Sequence, residues 1–447
     1  DAFSSWMRDT LKKRAAGVDV RLETIEGVAL VGTAASLART RGGRDADRLA
    51  ALVAALAAEE TGSAAQLDRI LQPDASSLVR RNAERVNLTR YPVTLPVIAD
   101  RLAARFSAWY EIFPRSQSMD VNRHGTFDDV IRRLPEIREL GFDVLYFTPI
   151  HPVGRTNRKG KNNTLKAEPG DVGSVYAVGA EEGGHEAVHP ELGTLADFER
   201  LVAASHAYGM EIALDFAIQC SPDHPWIKNH PEWFEWRPDG TLKFAENPPK
   251  KYEDISNVHF YGGALPSLWI ELRDILLGWC ARGVRIFRVD NPHTKPIPFW
   301  EWVIGEVNGR YPDAIFLAEA FTRPKMMKKL AKAGYQQSYT YFTWRNTKQE
   351  LTDYALELAG EMGEYYRPNF FANTPDINPY FLQTSGRAGF VIRGTLAATL
   401  SSVYGIYNGF ELCEAAPYPG KEEYLNSEKY ELKAWDYDRP GNIREHI

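Results

Sequence analysis

The chain has 447 residues, enough for a large α/β barrel with an appendage, and carries a net charge of −6 on a composition of mixed sign. That balance gives no electrostatic case for nucleic acid or an anionic membrane as the main partner, and leaves a small molecule or a neutral polymer as the fitting ligand. Three scattered cysteines, Cys220, Cys280 and Cys413, make no disulfide framework and suggest no zinc site, and no stretch approaches the roughly 20 apolar residues that span a bilayer. The expectation is a cytoplasmic protein with no membrane partner and no metal. The opening Asp1-Ala2-Phe3-Ser4 is not a signal peptide, and the closing Asn442-Ile443-Arg444-Glu445-His446-Ile447 resembles the first turn of an unfinished helix, so an excised fragment is expected.

Residues 1–95 are rich in Ala, Leu, Arg and Glu with helical periodicity, as over 45–61 and 64–71, and Gly42-Gly43 separates helical stretches. They read as a small all-α domain that packs against the larger domain or a second subunit. From 96 to 447 strands and helices alternate, which predicts a parallel sheet with crossover helices. Strands are expected at 106–112, 144–148, 211–216, 283–290, 314–319, 338–342, 369–374 and 403–406. Eight of them predict a closed (β/α)8 TIM barrel. Two long insertions, 149–192 after the second strand and 221–265 after the third, leave from strand C-termini, where barrel enzymes build their sites. The later one holds Trp226, Trp233, Phe234, Trp236, Phe244 and Tyr252, either a sugar-stacking wall or a mini-core that holds a long loop together.

The chemistry concentrates at strand ends. In Phe287-Arg288-Val289-Asp290-Asn291-Pro292-His293, alternation puts Arg288 and Asp290 on one face, so the guanidinium keeps the carboxylate ionised at neutral pH. Glu319 ends the next strand, about one βα unit later, and Asp376 follows the seventh strand in Phe371-Ala372-Asn373-Thr374-Pro375-Asp376. Two carboxylates about 5 Å apart on neighbouring strands suit a retaining glycosidase or glycosyl transferase, and a third can fix sugar hydroxyls.

These residues resemble the α-amylase clan of retaining glycoside hydrolases and transglycosylases. The resemblance implies that Asp290 is the nucleophile, Glu319 the proton donor and Asp376 the transition-state stabiliser. Two departures set the chain apart from starch-degrading members: strand three ends in Asp215-Phe216-Ala217-Ile218-Gln219-Cys220 where Asn-His is usual, and Pro375 replaces the histidine before the third carboxylate. What stands there is similar to the bacterial α-1,4-glucan:maltose-1-phosphate maltosyltransferases. The similarity runs through Gly154-Arg155-Thr156-Asn157-Arg158-Lys159-Gly160-Lys161-Asn162-Asn163, Phe216-Ala217-Ile218-Gln219-Cys220-Ser221-Pro222, Val289-Asp290-Asn291-Pro292-His293-Thr294-Lys295-Pro296 and Ser427-Glu428-Lys429-Tyr430. It covers the helical domain too. That branch carries a β-sandwich before this domain and another after the barrel, and both are expected to be missing here.

The resemblance implies an α-maltose 1-phosphate donor, an α-1,4-glucan or malto-oligosaccharide acceptor, a homodimer and no cofactor. It also implies donor binding by Lys159, Gln219, Asp254, Asn291, Lys429 and Tyr430, with Arg288 beneath the nucleophile. Arg158, Lys159 and Lys161 with neighbouring amides suit a departing phosphate dianion. An α-glucan hydrolase or 4-α-glucanotransferase would use the same three carboxylates, and a non-catalytic amylase-like scaffold is the alternative from another class.

Overall fold

The computed structural model describes the chain except Asn87, Pro96, Pro248 and Pro249; the side chains of Asn247 and Lys250 are also outside the described residues. The domain boundary expected at 95/96 falls beside Pro96, and part of the 221–265 insertion falls on Pro248 and Pro249, so both lie partly outside the description. The chain divides into two compact units, Asp1–Val97 and Ile98–Ile447.

Helical periodicity in the first unit yields α1 (Ala2–Ala15), α2 (Arg21–Arg41), α3 (Arg44–Ala57), α4 (Ala64–Leu71) and α5 (Pro73–Asn82). Their starts follow local chemistry: the Asp1 carboxylate accepts from the Ser4 N–H at 2.8 Å and the Ser63 hydroxyl from the Gln66 N–H at 3.2 Å. Gly42 and Gly43, at φ +74° and +98°, make the reversal between α2 and α3 in a region that side chains other than glycine strain to reach. Phe3, Trp6, Val31, Leu49, Leu67, Ile70 and Val79 close over one another as the core of this unit. Each such side chain contributes roughly 1.5–3 kcal/mol by leaving water.

The second unit is the closed parallel barrel. Its staves are β1 (Ser107–Ile112), β2 (Val144–Phe147), β3 (Glu211–Phe216), β6 (Ile286–Val289), β7 (Ile315–Ala318), β8 (Gln337–Tyr339), β9 (Pro368–Phe371) and β10 (Val403–Tyr407), paired in that order, with β10 closing on β1. A separate antiparallel hairpin, β4 (Phe244–Asn247) with β5 (Lys250–Ser256), interrupts the count. Alternation sends Trp109, Tyr146, Ala213, Ile286, Leu317, Tyr339 and Phe371 into the barrel as one packed layer, while Tyr110, Leu145, Leu214, Phe287 and Phe316 face the surrounding helices. Three of the helices, Phe127–Glu139, Leu195–Ala207 and Lys348–Ala359, begin with reciprocal capping boxes at Thr126/Asp129, Thr194/Asp197 and Thr347/Glu350.

Most of the observed strands are shorter than expected, while β3 matches its expected span and β10 runs one residue further. Asp290 and Glu319 lie one residue past β6 and β7, with their amides still donating to Phe216 O (3.2 Å) and Val289 O (3.0 Å). The ladder therefore reaches both residues from one side only, which frees their side chains at the barrel mouth. The expected strand at 338–342 stops at Tyr339 because the Thr340 hydroxyl accepts from the Phe342 N–H and starts a tight turn over Tyr341–Trp344. In the 221–265 insertion the sugar-stacking alternative fails for Trp226, Trp233 and Phe234, which are buried in the barrel's outer core. Trp226 meets Trp233 edge-on at 5.2 Å, and His230 stacks on Trp233 at 4.0 Å. Trp236 is exposed, with its indole N–H held by Pro231 O.

Candidate active site

Four inward residues meet at the C-terminal mouth of the barrel. Parallel pairing sets Asp215 of β3 beside Arg288 of β6, and the Arg288 fork gathers three carboxylates. Its Nη1 donates to Asp215 (3.0 Å) and Asp290 (2.9 Å), and its Nη2 lies 3.2 Å from Glu319 Oε1. Burial opposes the Arg288 charge, yet Asp215 and Glu319 outweigh it and the guanidinium stays protonated. Asp215, pushed up to about 6 by burial, is held ionised by Arg288 and by the Tyr146 and Tyr176 hydroxyls at 2.6 and 3.0 Å.

The two carboxyls above this hub differ. Burial raises the Asp290 pKa, but Arg288, Lys295 and Lys429 outweigh it and hold it below the usual carboxylate range. Glu319 is carried to about 8, first by burial, against the pull of Arg288 and with the push of Asp290. One group is an anion and the other holds a proton at neutral pH, the division that acid and nucleophile roles need. Asn291, at φ +43° and ψ +52°, turns its amide so that the N–H donates to Glu319 Oε2 at 3.1 Å.

The other expected residues gather around this pair. Asp376 is exposed and receives the Lys429 ammonium at 2.6 Å, so Lys429 is no surface decoration; burial disfavours its charge, and Asp376 more than restores it. The Lys429 ammonium also lies 4.7 Å from the centre of the Tyr176 ring. Asp254 and Lys159 are both buried, with Lys159 and Lys429 offsetting the burial that raises the Asp254 pKa. Tyr430, pushed up to about 12 by burial, feels Lys429, Asp376 and Asp254. Gln219 is buried, and its amide donates to Tyr176 O. Loop 154–163 is pinned below by Asp223, whose carboxylate accepts the Arg155 and Thr156 amides. It is joined to the 427–430 segment by Asn162, which accepts from the Asn426 N–H at 2.7 Å.

Arg158 corrects one expectation. It turns away from the carboxylates and donates to Gly154 O, Val153 O and Asp171 O, because Asn157 at φ +56° reverses the loop there. Lys161 is exposed. The sequence reading also missed Asp215 as a partner of Arg288, together with Tyr146, Tyr176 and Lys295. The buried Lys295 ammonium is 3.4 Å from Asp290 O. Its signal was a lysine two residues past the Pro292-His293 step.

Two residue groups have the spacing of metal ligands, His185/Cys220/His224 and His124/His189/Glu191. In the first, His185 Nε2–H donates to Ala217 O, His224 Nε2–H donates to His185 Nδ1, and His224 Nδ1 accepts from the Trp226 amide. Every ring nitrogen is taken, and burial carries the two histidines down to about 4 and about 2. The two histidines form a buried hydrogen-bonded chain.

The closed parallel barrel, with carboxyls at the ends of adjacent strands, has the architecture of the α-amylase fold. The fold is shared with an α-amylase from Lactobacillus plantarum, at a TM-score of 0.58 and 24% identity over 77% of this chain and 79% of that one. Residues 111–272 match the α-amylase catalytic domain model, and residues 1–101 match the model described as α-1,4-glucan:maltose-1-phosphate maltosyltransferase, domain N/S. Among curated proteins, the α-1,4-glucan:maltose-1-phosphate maltosyltransferase of Cereibacter sphaeroides is 62% identical over all of this chain, which spans 74% of that protein. The protein of the same name from Pseudomonas aeruginosa is 59% identical over 99% of this chain and 66% of its own length. The chain belongs to the α-1,4-glucan:maltose-1-phosphate maltosyltransferase family.

Proposed function

We propose that the chain carries the catalytic barrel of a retaining transferase that moves a maltosyl unit from α-maltose 1-phosphate to the non-reducing end of an α-1,4-glucan. The observation that carries this reading is the convergence of Asp290 and Glu319, from adjacent strand ends, on the one Arg288 guanidinium at 2.9 and 3.2 Å, with burial and local charge favouring the anion at Asp290 and the proton at Glu319. A shared fork keeps two carboxyls close, as the roughly 5 Å spacing of a retaining pair requires. Asp290 attacks the anomeric carbon as the C–O bond to phosphate breaks, giving a β-maltosyl enzyme and free phosphate, with Glu319 assisting departure. Phosphate is a good leaving group, so this proton matters less than in glycoside cleavage. Glu319, now ionised, takes the proton from the acceptor 4-hydroxyl. That oxygen displaces Asp290, and configuration is retained. The phosphate ester supplies the activation, so the scheme needs no metal or organic cofactor.

Asp376 fixes sugar hydroxyls, its carboxylate oriented by Lys429. Lys159, Gln219, Asp254, Asn291, Lys429 and Tyr430 hold the donor, with Lys159 and Lys429 as its two buried or half-buried ammonium groups and Arg288 beneath Asp290. The domain reading is a helical domain over 1–95 and a catalytic barrel over 96–447. Following the family resemblance, the protein is read as a bacterial, cytoplasmic homodimer acting in α-glucan synthesis.

The test is phosphate release from α-maltose 1-phosphate by the full-length protein, with and without a malto-oligosaccharide, while product lengths are followed by mass spectrometry. Acceptor-dependent phosphate and growth in two-glucose steps support the reading. Shortened or disproportionated oligosaccharides without phosphate overturn it in favour of a hydrolase or glucanotransferase.

A further inference from the structure

Beside the carboxylate cluster lies a separate cavity of about 480 Å³, whose lining includes none of Asp290, Glu319 and Asp376. Its walls come mainly from the segments that follow β1 and β2, and among the described residues two of its lining guanidiniums, those of Arg115 and Arg158, form no ion pair, although Glu428 favours the Arg115 charge and Asp223, Glu191 and Glu182 favour that of Arg158. Arg115 is 4% exposed; it donates to Gly173 O at 3.0 Å and to Glu428 O and Lys429 O at 2.9 Å, and its Nε has no partner among the described residues. Arg158 is held by the three backbone carbonyls described above. Among the described residues no carboxylate oxygen pairs with either. Burial drives the Arg115 pKa down to about 10 and lowers that of Arg158.

A buried and a half-buried cation in one wall are costly unless an anion or good hydrogen bonds neutralise them. The acidic residues of the lining are otherwise engaged or open to water: Glu182 pairs with Arg155, the Asp171 carboxylate accepts the Glu168 N–H, and Glu191 is exposed. His124 and His189 stack at 5.0 Å; burial lowers both, His189 to about 3, so they offer ring nitrogens without charge. Their grouping with Glu191 has the spacing for a divalent cation, but Arg115 and Arg158, which help depress His189, would repel one.

We infer that this cavity is a second ligand site, for a small phosphate-bearing anion seated against Arg115 and Arg158 with the rest of the molecule beside His124 and His189. Guanidinium donors match phosphate oxygens in geometry and charge, and the volume is that of a small-molecule site. Arg115 is bonded to the Lys429 carbonyl, and Arg158 adjoins Lys159 in the chain. The site therefore adjoins the donor residues proposed above, and binding at it does not rest on the donor reading.

Calorimetric titration of the whole chain with glucose 6-phosphate, inorganic phosphate and glucose tests the site. Glucose 6-phosphate is expected to bind and glucose not, with inorganic phosphate reporting whether the sugar contributes affinity. Arg158→Gln should weaken glucose 6-phosphate by roughly tenfold or more. Val172→Trp, which fills the cavity but keeps every charge, should do the same with an unchanged melting midpoint, while Lys159→Gln binds as the parent does. Absence of binding of either anion by the parent overturns the inference. So does loss on Lys159→Gln with both cavity variants unaffected, which would put the anion in the donor pocket.

Discussion

The proton on Glu319 can be weighed directly by replacing the residue with glutamine. In the folded chain burial beside Asp290 carries the carboxyl to about 8, against 4.5 as the ordinary value. Between those two pH values the folded state keeps a proton that the unfolded state releases. Stability present below pH 4.5 is thus lost as pH rises through 8 and stays lost above it. At about 1.4 kcal/mol per pH unit, the loss is on the order of 5 kcal/mol. Glutamine does not ionise and escapes it. Glu319→Gln and the parent should unfold within about 1 kcal/mol of one another at pH 5. At pH 9 the variant should be the more stable by several kcal/mol, or about 7 °C in midpoint for a unit the size of Ile98–Ile447. Differential scanning calorimetry across this range reads the difference. Parallel midpoints from pH 5 to 9 would mean that Glu319 ionises as an ordinary carboxyl, and the acid role would lose its physical basis.

Asp290→Ala should abolish transfer, while Glu319→Ala should let a maltosyl adduct accumulate that intact-protein mass spectrometry detects; no adduct under any condition would count against these roles. Lys429→Met removes a charged hydrogen bond to Asp376 worth about 1.5–3 kcal/mol, so kcat/KM for the phosphate donor should fall roughly 10- to 100-fold with circular dichroism unchanged. Gly179→Ala drives a Cβ into the His224 ring at a residue whose φ is +101°. It should destabilise the second unit by about 2 kcal/mol or more, read as a lower urea midpoint, with the hydrogen bond from His224 to His185 the first to break.

The barrel was legible because its signals are local. Alternation, turn residues and helix starts such as Thr126 and Thr194 are written within a few positions of where they act. Asp290 and Glu319 were legible for the same reason, each closing an apolar run one βα unit from the other. Partnerships across the barrel mouth left no such trace. Asp376 and Lys429 are 53 positions apart and Asp215 and Arg288 are 73 apart, and only closure of the sheet brings them together. Arg158 was misplaced because the direction of its side chain depends on a single left-handed residue, Asn157, which composition does not announce. The aromatics of 221–265 were undecided in sequence because a buried tryptophan and an exposed one are the same letter; packing alone separates Trp233 from Trp236.

The turn at Asn291 has a consequence for how such a site changes over time. The link from the end of β6 to Glu319 passes through a peptide N–H, so the gap between the two reacting groups is set by main chain and by the register of neighbouring strands. The side chain at 291 stands outside that link. On the reading proposed above, a replacement that tolerates the left-handed turn would alter what the site grips while leaving the machinery of bond exchange in place, so recognition and chemistry could drift separately at adjacent atoms of one residue.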